Sequence, residues 1–206
     1  MRPGRAAVLL GVVWLAGLCA GARANVVLDW SAQMMAAIRA DNTGPTLSTR
    51  NLAILNLATY EAVTSILRTH QPYAFQLDAA TETSVEAAVI GVGREVMLTL
   101  YPSLQARTEE LYERELAGLS GTPGVAAGLA LGRAAALRLF ALRTADGSAT
   151  HVPYIPSPAP GQWQRTPPFF RPPLTPQWRY VKTFCLPALG PFLPPPPPAL
   201  ESAAYA

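Results

Sequence analysis

Residues 46–67 read TLSTRNLAILNLATYEAVTSIL, and the spacing of their apolar side chains decides the fold class. One apolar face repeats every three to four residues and consists of Leu52, Leu55, Ala62, Val63 and Ile66. Ile54, Leu57 and Ala58 spread the apolar surface further round the helix. A helix that is apolar over most of its circumference belongs inside a bundle. This stretch therefore predicts an all-α fold with the helix inside it.

Four other stretches of residues 25–147 have the same helical spacing. They are a first stretch from about Val27 that stops before Asn42, a third from Val85 to Pro102, a fourth from about Ser103 to Leu119 and a fifth from Thr122 to about Ala145. Short connections between helices of this length favour antiparallel neighbours. No window alternates with the period of two that a half-buried strand requires. We therefore predict an antiparallel bundle of about five helices over residues 25–147.

The helix ends carry recognisable start signals. Thr83-Ser84-Val85-Glu86 has capping-box spacing and predicts the start of the third helix. Thr122 followed by Pro123 predicts an N-cap and a first-turn proline for the fifth. The fourth helix carries interspersed charges, namely Arg107, Glu109, Glu110, Glu113, Arg114 and Glu115. Their i,i+4 spacings are typical of a solvent-facing charge pattern, so we predict that this helix is the most solvated of the set.

Residues 148–206 have a different composition. They hold sixteen of the 21 prolines, including the run Pro194–Pro198. Proline fixes φ and lacks a backbone donor, so neither a long helix nor a central strand can persist there. Large aromatic side chains are also frequent, which is unusual for a solvated linker. We therefore predict an extended arm with buried aromatic anchors, lying across the helices or across something that follows them.

Residues 1–24 have the pattern of a secretory signal peptide. Arg2 and Arg5 precede an apolar run over 6–20, and Ala22-Arg23-Ala24 predicts cleavage after Ala24. The run is shorter than the roughly 20 residues that span a bilayer, so we expect no stable membrane span after cleavage. The predicted location is secreted or periplasmic. Cys19 would leave with the signal peptide, and Cys185 would then be a lone thiol.

The charge balance argues against nucleic acid as a partner. The formal net charge of +3 falls to 0 when Arg2, Arg5 and Arg23 are removed, so the mature chain has no basic excess. The two cysteines and two histidines also argue against a disulfide framework and an all-protein zinc site.

None of the candidate catalytic groups has the partners that its chemistry requires. The chain has no G-x-S-x-G elbow that could supply a nucleophile to His70 or His151. We therefore interpret both as surface or hydrogen-bonded histidines. The glutamates of the fourth helix lack the Glu-x-x-His pairs of a metal-binding bundle. Gly91 and Gly93 belong to no phosphate-binding loop, so we predict that such glycines permit close helix packing.

The arm holds two further candidate features. One is a loose basic series with aromatic residues between its members, made by Arg165, Arg171, Arg179 and Lys182. No predicted helix N-terminus reinforces this series as an anion site. The other is Pro194–Pro198, which has the composition of a polyproline II ligand. We assign no catalytic, cofactor-binding or metal-binding residue to the chain.

Several strings occur in an order typical of one known family. They are Trp30 with Ala36-Ala37-Ile38-Arg39-Ala40-Asp41, Arg50-Asn51-Leu52-Ala53-Ile54, Ala58-Thr59-Tyr60-Glu61-Ala62-Val63, Tyr101-Pro102, Ala145-Asp146-Gly147, Tyr154, residues 160–168, Pro176-Gln177-Trp178 and Pro197-Pro198-Ala199-Leu200. Taken in order, they resemble the secreted vanadium-dependent haloperoxidases of the type 2 phosphatidic acid phosphatase superfamily. The resemblance extends over the whole predicted mature chain.

This resemblance implies two helical bundles, of which the second holds the chemistry. Its site binds vanadate in the peroxidases and phosphate in the related phosphatases. The family supplies a Lys upstream of an Arg-Pro, a Pro-Ser-Gly-His, and a later Ser-Arg that leads to a His. Here Lys182 lies eleven residues after Arg171-Pro172, Ser157-Pro158 does not match, and no histidine follows His151. The resemblance therefore assigns no site residue to this chain. Nothing in the chain distinguishes halide oxidation from phosphoester hydrolysis as the activity of the parent family.

The sequence thus predicts the N-terminal structural half of such a protein, without its oxyanion site and inactive alone. The chain ends at Ala206, where the resemblance expects the second half to begin. A fragment, a truncated gene product and a separately encoded half remain alternatives. The expected partner is the missing C-terminal helical half or a second copy. The rival hypothesis is an exported binding protein that uses the Pro-rich arm, and the weakest is an enzyme of unrecognised type.

Overall fold

The computed structural model describes residues 25–187 and 189–205, and all the regular structure in these residues is helical. The α-helices are α1 (Val26–Ala40), α2 (Pro45–Leu67), α3 (Val85–Leu100), α4 (Gln105–Ala117) and α5 (Val125–Arg143). Three 3₁₀ turns cover Pro102–Leu104, Pro176–Tyr180 and Gly190–Phe192. The predicted all-α class and five helices are confirmed. The predicted signal peptide, with Cys19, lies outside the described residues.

The helix at the centre of the bundle is α3. It is buried without interruption from Ala87 to Gly93, and it contacts each of the other four helices. The sequence predicted a position inside the bundle for α2, which buries one face and leaves Leu47, Tyr60 and Leu67 exposed. Small side chains explain the difference, because the alanines and glycines of α3 let its neighbours approach from several sides.

Consecutive helices follow the predicted antiparallel order where α3 meets α4. Arg94, in the second half of α3, contacts Glu109 near the start of α4. By contrast, α5 runs alongside α3 in the same direction. The two helices start together, since the Ser84 amide donates to the Gly124 carbonyl at 3.2 Å. Because α4 runs back along α3, α5 begins at the same end of the bundle as α3.

Glycines allow α3 and α5 to approach each other closely. A Cβ placed on Gly132 would overlap the carbonyl oxygen of Ala88, and one on Gly128 would overlap that of Ser84. From the other side, a Cβ on Gly91 would overlap the Leu129 carbonyl. The prediction that these glycines serve close packing is thus confirmed.

We expect Gly132→Ala to lower the free energy of unfolding by about 2 kcal/mol, because the backbone carbonyl of Ala88 cannot move aside without separating two helices. Urea denaturation measures the change. Gly190→Ala is the matched control, because a Cβ there meets open space. Equal stability of the two variants would contradict the proposed helix contact.

The predicted start of α3 is confirmed, and the predicted cap of α5 is wrong. The N-cap of α3 is Ser84, whose Oγ accepts from the Ala87 amide, whereas the Thr83 hydroxyl donates to the Ala80 carbonyl. The N-cap of α5 is Gly124 rather than Thr122. Gly124 has a φ of +70° and lies against the backbone of Glu82, where a Cβ would overlap the carbonyl oxygen. Contact with the α3 entry therefore sets where α5 begins.

The arm divides into a docked segment and an exposed remainder. Residues 175–184 lie across the bundle, where the Thr175 and Thr46 hydroxyls are 3.1 Å apart and the Tyr73 hydroxyl donates to the Phe184 carbonyl at 2.6 Å. This confirms that part of the arm crosses the helices. The aromatic anchors are not fully buried against the bundle, because every described residue from 148 onward is at least partly exposed. Their burial against a following unit stays a prediction. Among the arm aromatics, half-buried Phe184 packs against the core cluster.

Among the described helices, α5 is long and apolar enough by composition to cross a membrane. A third of that window is buried within the protein, where it packs on α3. The core helix of a folded bundle meets the same criterion. The absence of a membrane span from the mature chain stays a prediction.

Candidate functional site

A buried ion cluster joins the start of α2 to the end of α5. Asp146 follows α5, and its Oδ2 accepts from Arg50 Nε at 2.8 Å and from Arg143 Nε at 3.0 Å. The Ser148 amide donates to Asp146 Oδ1 at 3.0 Å. The side chains of Asp146 and Arg143 are only 2% and 3% exposed. Two guanidinium groups thus share one carboxylate away from solvent.

The same cluster holds the arm. Arg143 donates from Nη1 to the Thr183 carbonyl at 3.1 Å and from Nη2 to the Lys182 carbonyl at 2.6 Å. Its guanidinium lies 3.9 Å from the centre of the Phe184 ring. The Lys182 amide in turn donates to the Asp146 carbonyl at 2.8 Å. Because its donors are occupied in this way, Arg143 acts as the anchor of residues 182–184.

The hydrogen bonds of this cluster set the pKa of Asp146. Burial alone would raise that pKa, but hydrogen bonds from Ser148 and Arg50 outweigh the burial and lower it to about 2. The carboxyl group is therefore ionised in the folded protein at every pH near neutrality.

We expect the cluster to lose its stabilising effect in acid. The pKa of Asp146 is lower in the folded chain than its ordinary value of 3.8, so the stabilisation is complete above that value and is lost as the pH falls towards 2. Urea unfolding at pH 5 and pH 2.5 should show about 2 kcal/mol of Asp146-dependent stability disappearing. The Asp146→Asn variant is the reference, and an equal loss in both proteins would contradict the assignment.

Glu61 forms a second buried charged node, in α2. Its carboxylate is fully buried and accepts the backbone amides of Tyr73, Ala74 and Phe75, with distances of 3.2 Å to Tyr73 and 3.0 Å to Phe75. Burial raises the pKa of the Tyr73 hydroxyl, and Arg143 partly opposes that rise. The hydroxyl therefore stays protonated as the donor to Phe184. Glu61 thus fixes the loop whose tyrosine holds the arm.

The sequence-predicted candidates do not come together. His70 is exposed beside Thr69, and His151 is exposed in the arm. Glu109 pairs with Arg94 of α3 at 2.7 Å rather than with a residue of its own helix. The reason is that α4 packs antiparallel on α3. Within residues 25–187 and 189–205, no three His, Cys, Asp or Glu side chains group closely enough to hold a metal ion.

The cations of the arm are also dispersed. Arg165 donates to the Phe170 carbonyl, Arg171 lies over the Phe169 ring, and Arg179 lies over the Tyr180 ring. The buried guanidinium groups of Arg50 and Arg143 already bind Asp146 and backbone carbonyls. A tetrahedral oxyanion needs several donors aimed at one point. The described residues therefore do not fit vanadate or phosphate.

An aromatic cleft lies on the exposed part of the arm. It has a volume of about 380 Å³ and is lined by residues that include Val152, Tyr154, Trp163, Leu174, Arg179 and Tyr180. The Tyr154 and Trp163 rings meet edge to face with centroids 5.7 Å apart. An adjoining cleft shares Tyr154 and adds His151 and Arg165. The clefts have no counterpart in the sequence predictions.

One feature of the sequence could have indicated the Asp146 cluster and the buried Glu61. Arg50 and Glu61 are the only charged residues of the apolar stretch 46–67. A lone charge within a helix that is apolar on most sides is expected to be paired or hydrogen-bonded. The partners of these charges are backbone groups and Asp146, which follows α5. The apolar spacing of α2 cannot indicate these partners.

No family model matches the chain, and no curated protein does. Among solved structures, it is similar to a bacterial vanadium-dependent iodoperoxidase, with a TM-score of 0.74 and 23% sequence identity. The alignment covers 89% of this chain and 49% of that protein, so the chain spans about half of its length. The chain therefore has the helical fold of about half of a vanadium-dependent iodoperoxidase, as its resemblance to the haloperoxidase superfamily predicted.

Proposed function

We propose that this chain is the N-terminal structural part of an exported haloperoxidase-like or acid-phosphatase-like protein. The observation that carries the proposal is the unequal coverage of the fold match, which extends over 89% of this chain and 49% of the iodoperoxidase. The arm supports it as well, because large apolar side chains stay exposed there as they would if a second unit normally covered them. They include Ile155, Phe169, Leu174 and Phe192.

In this proposal the bundle is a scaffold that positions the arm. The Asp146 cluster fixes residues 182–184, and the loop held by Glu61 supplies Tyr73 as a second contact to Phe184. The exposed remainder of the arm is then free to pack on a second helical unit. Because the described cations do not converge, the chain alone neither grips an oxyanion nor turns over a halide or phosphoester.

The direct test is an activity assay of the purified mature chain. We expect no vanadate-dependent oxidation of iodide or bromide by peroxide, and no hydrolysis of p-nitrophenyl phosphate. A vanadium iodoperoxidase is the positive control for the first reaction. Turnover that depends on added vanadate and is lost on removing the chain would overturn the proposal.

We also expect the isolated chain to bind a hydrophobic dye such as anilinonaphthalene sulfonate, because its arm exposes apolar surface. The double variant Phe169→Ser, Phe192→Ser removes two rings that are 74% and 64% exposed and should reduce the fluorescence. A monomer that melts cooperatively and binds no dye would contradict this prediction.

A second candidate function is that of an exported binding protein, and the aromatic cleft of the arm favours it. The coding DNA downstream of this chain distinguishes the two functions. A reading frame there that encodes a Lys with Arg-Pro and a Pro-Ser-Gly-His string supports the structural half. Unrelated sequence supports the binding protein.

A further inference from the structure

The aromatic cleft of the arm has the chemistry of a polyproline groove. Tyr154, Trp163 and Tyr180 contribute rings that are 41%, 43% and 67% exposed. The rest of the apolar lining is Val152, Pro173, Leu174 and Pro176. Grooves lined by aromatic rings bind polyproline II segments, because the ligand is already extended and loses little conformational entropy. The cleft therefore offers a ring surface to an extended proline-rich segment.

The chain itself carries a segment of this kind. Pro194–Pro198 is an unbroken run of five prolines, and all five are exposed. None of them lines the cleft of its own chain. Five residues of polyproline II helix extend for about 15 Å. One copy thus carries both a ligand-like run and a groove-like cleft, and the run does not line that cleft.

Charge complementarity favours pairing between the two. Arg179 lines the aromatic cleft, and Arg165 lines the adjoining one. Glu201 follows the proline run by three residues and is the only carboxylate side chain after Asp146. A proline-rich segment with a flanking carboxylate therefore meets a groove with a flanking guanidinium group. Leu200 lies beside Gly161, which places the end of the run near the loop that carries Trp163.

From these observations we propose that the cleft binds the Pro194–Pro198 run of a second copy of this chain. Each run packs on the Tyr154, Trp163 and Tyr180 rings of its partner, with Glu201 directed to Arg179. Because Leu200, at the end of the run, lies beside Gly161 near the loop of Trp163, two copies can exchange their runs reciprocally and form a closed dimer. This inference goes beyond the proposed scaffold function and does not depend on it.

The test uses the mature chain and a fluorescent peptide of residues 191–204. We expect concentration-dependent dimerisation in sedimentation velocity, and saturable peptide binding by anisotropy. Trp163→Ala should weaken both on the order of tenfold, since such interface aromatics dominate binding. Pro195→Ala with Pro197→Ala should abolish dimerisation and leave peptide binding unchanged. Phe169→Ala, which removes an exposed ring that does not line the cleft, is the matched control and should change neither.

Mixing variants tests the reciprocal contact. Trp163→Ala keeps its run, and Pro195→Ala/Pro197→Ala keeps its cleft, so the mixture should form heterodimers more tightly than either variant forms homodimers. Arg179→Glu should weaken peptide binding, and a peptide with Glu201→Arg should restore it. The proposal is overturned if the wild-type chain is monomeric at 200 µM, or if Trp163→Ala leaves peptide binding unchanged. Neither outcome depends on the result of the halide assay.

Discussion

Replacing Glu61 with Gln is expected to lower the free energy of unfolding by about 3 kcal/mol, because a fully buried carboxylate that accepts three backbone amides is exchanged for an amide. One oxygen would become an NH₂ group that cannot accept these hydrogen bonds. The loop of Tyr73–Phe75 would then lose its anchor. Urea denaturation followed by circular dichroism measures the effect.

The matched control for this variant is Glu113→Gln, which makes the same chemical change at an exposed position of α4. We expect that change to alter stability by less than about 0.5 kcal/mol. A Glu61→Gln protein as stable as the Glu113→Gln protein would show that the carboxylate does not hold the loop.

The second large effect is expected for Asp146→Asn. The side chain keeps its size, but the buried guanidinium groups of Arg50 and Arg143 lose their counter-charge, which should cost about 3 kcal/mol. Weaker positioning of Arg143 should also release the arm, whose Lys182 and Thr183 carbonyls it binds. We expect faster hydrogen exchange and earlier proteolysis at residues 182–184.

Asp78→Asn provides the control, because Asp78 is exposed in the loop before α3. It should leave both the stability and the protection of the arm unchanged. If Asp146→Asn lowered global stability without any selective loss of protection at residues 182–184, the cluster would stabilise the bundle but not dock the arm.

The helices could be predicted because apolar residues recur every three to four positions along each of them, and that repeat records helical burial directly. Their exact caps could not be predicted. Ser84 rather than Thr83 caps α3, and α5 starts after Gly124 because that glycine packs on the entry to α3. Such tertiary contacts are not visible in local spacing. The central place of α3 depends likewise on its small side chains, which a count of large apolar residues undervalues.

The arm was predicted from its prolines, but the groups that attach it to the bundle were not. Arg143 binds the carbonyls of Lys182 and Thr183, and any residue type presents such carbonyls. Sequence composition therefore cannot indicate where the arm attaches. The high aromatic content suggested buried anchors, whereas Phe169 and Phe170 are exposed in the structure. The composition indicates that these rings favour burial, but it does not identify the surface that covers them.

The most direct test of the scaffold proposal is a vanadate titration of the purified mature chain, followed by ⁵¹V NMR and isothermal calorimetry. We expect the spectrum of free vanadate to persist at millimolar concentration without saturable heat, because the guanidinium groups of Arg165, Arg171 and Arg179 contact different neighbours. Stoichiometric binding that broadens the vanadium signal and is lost in a variant of any of these cations would contradict the proposal.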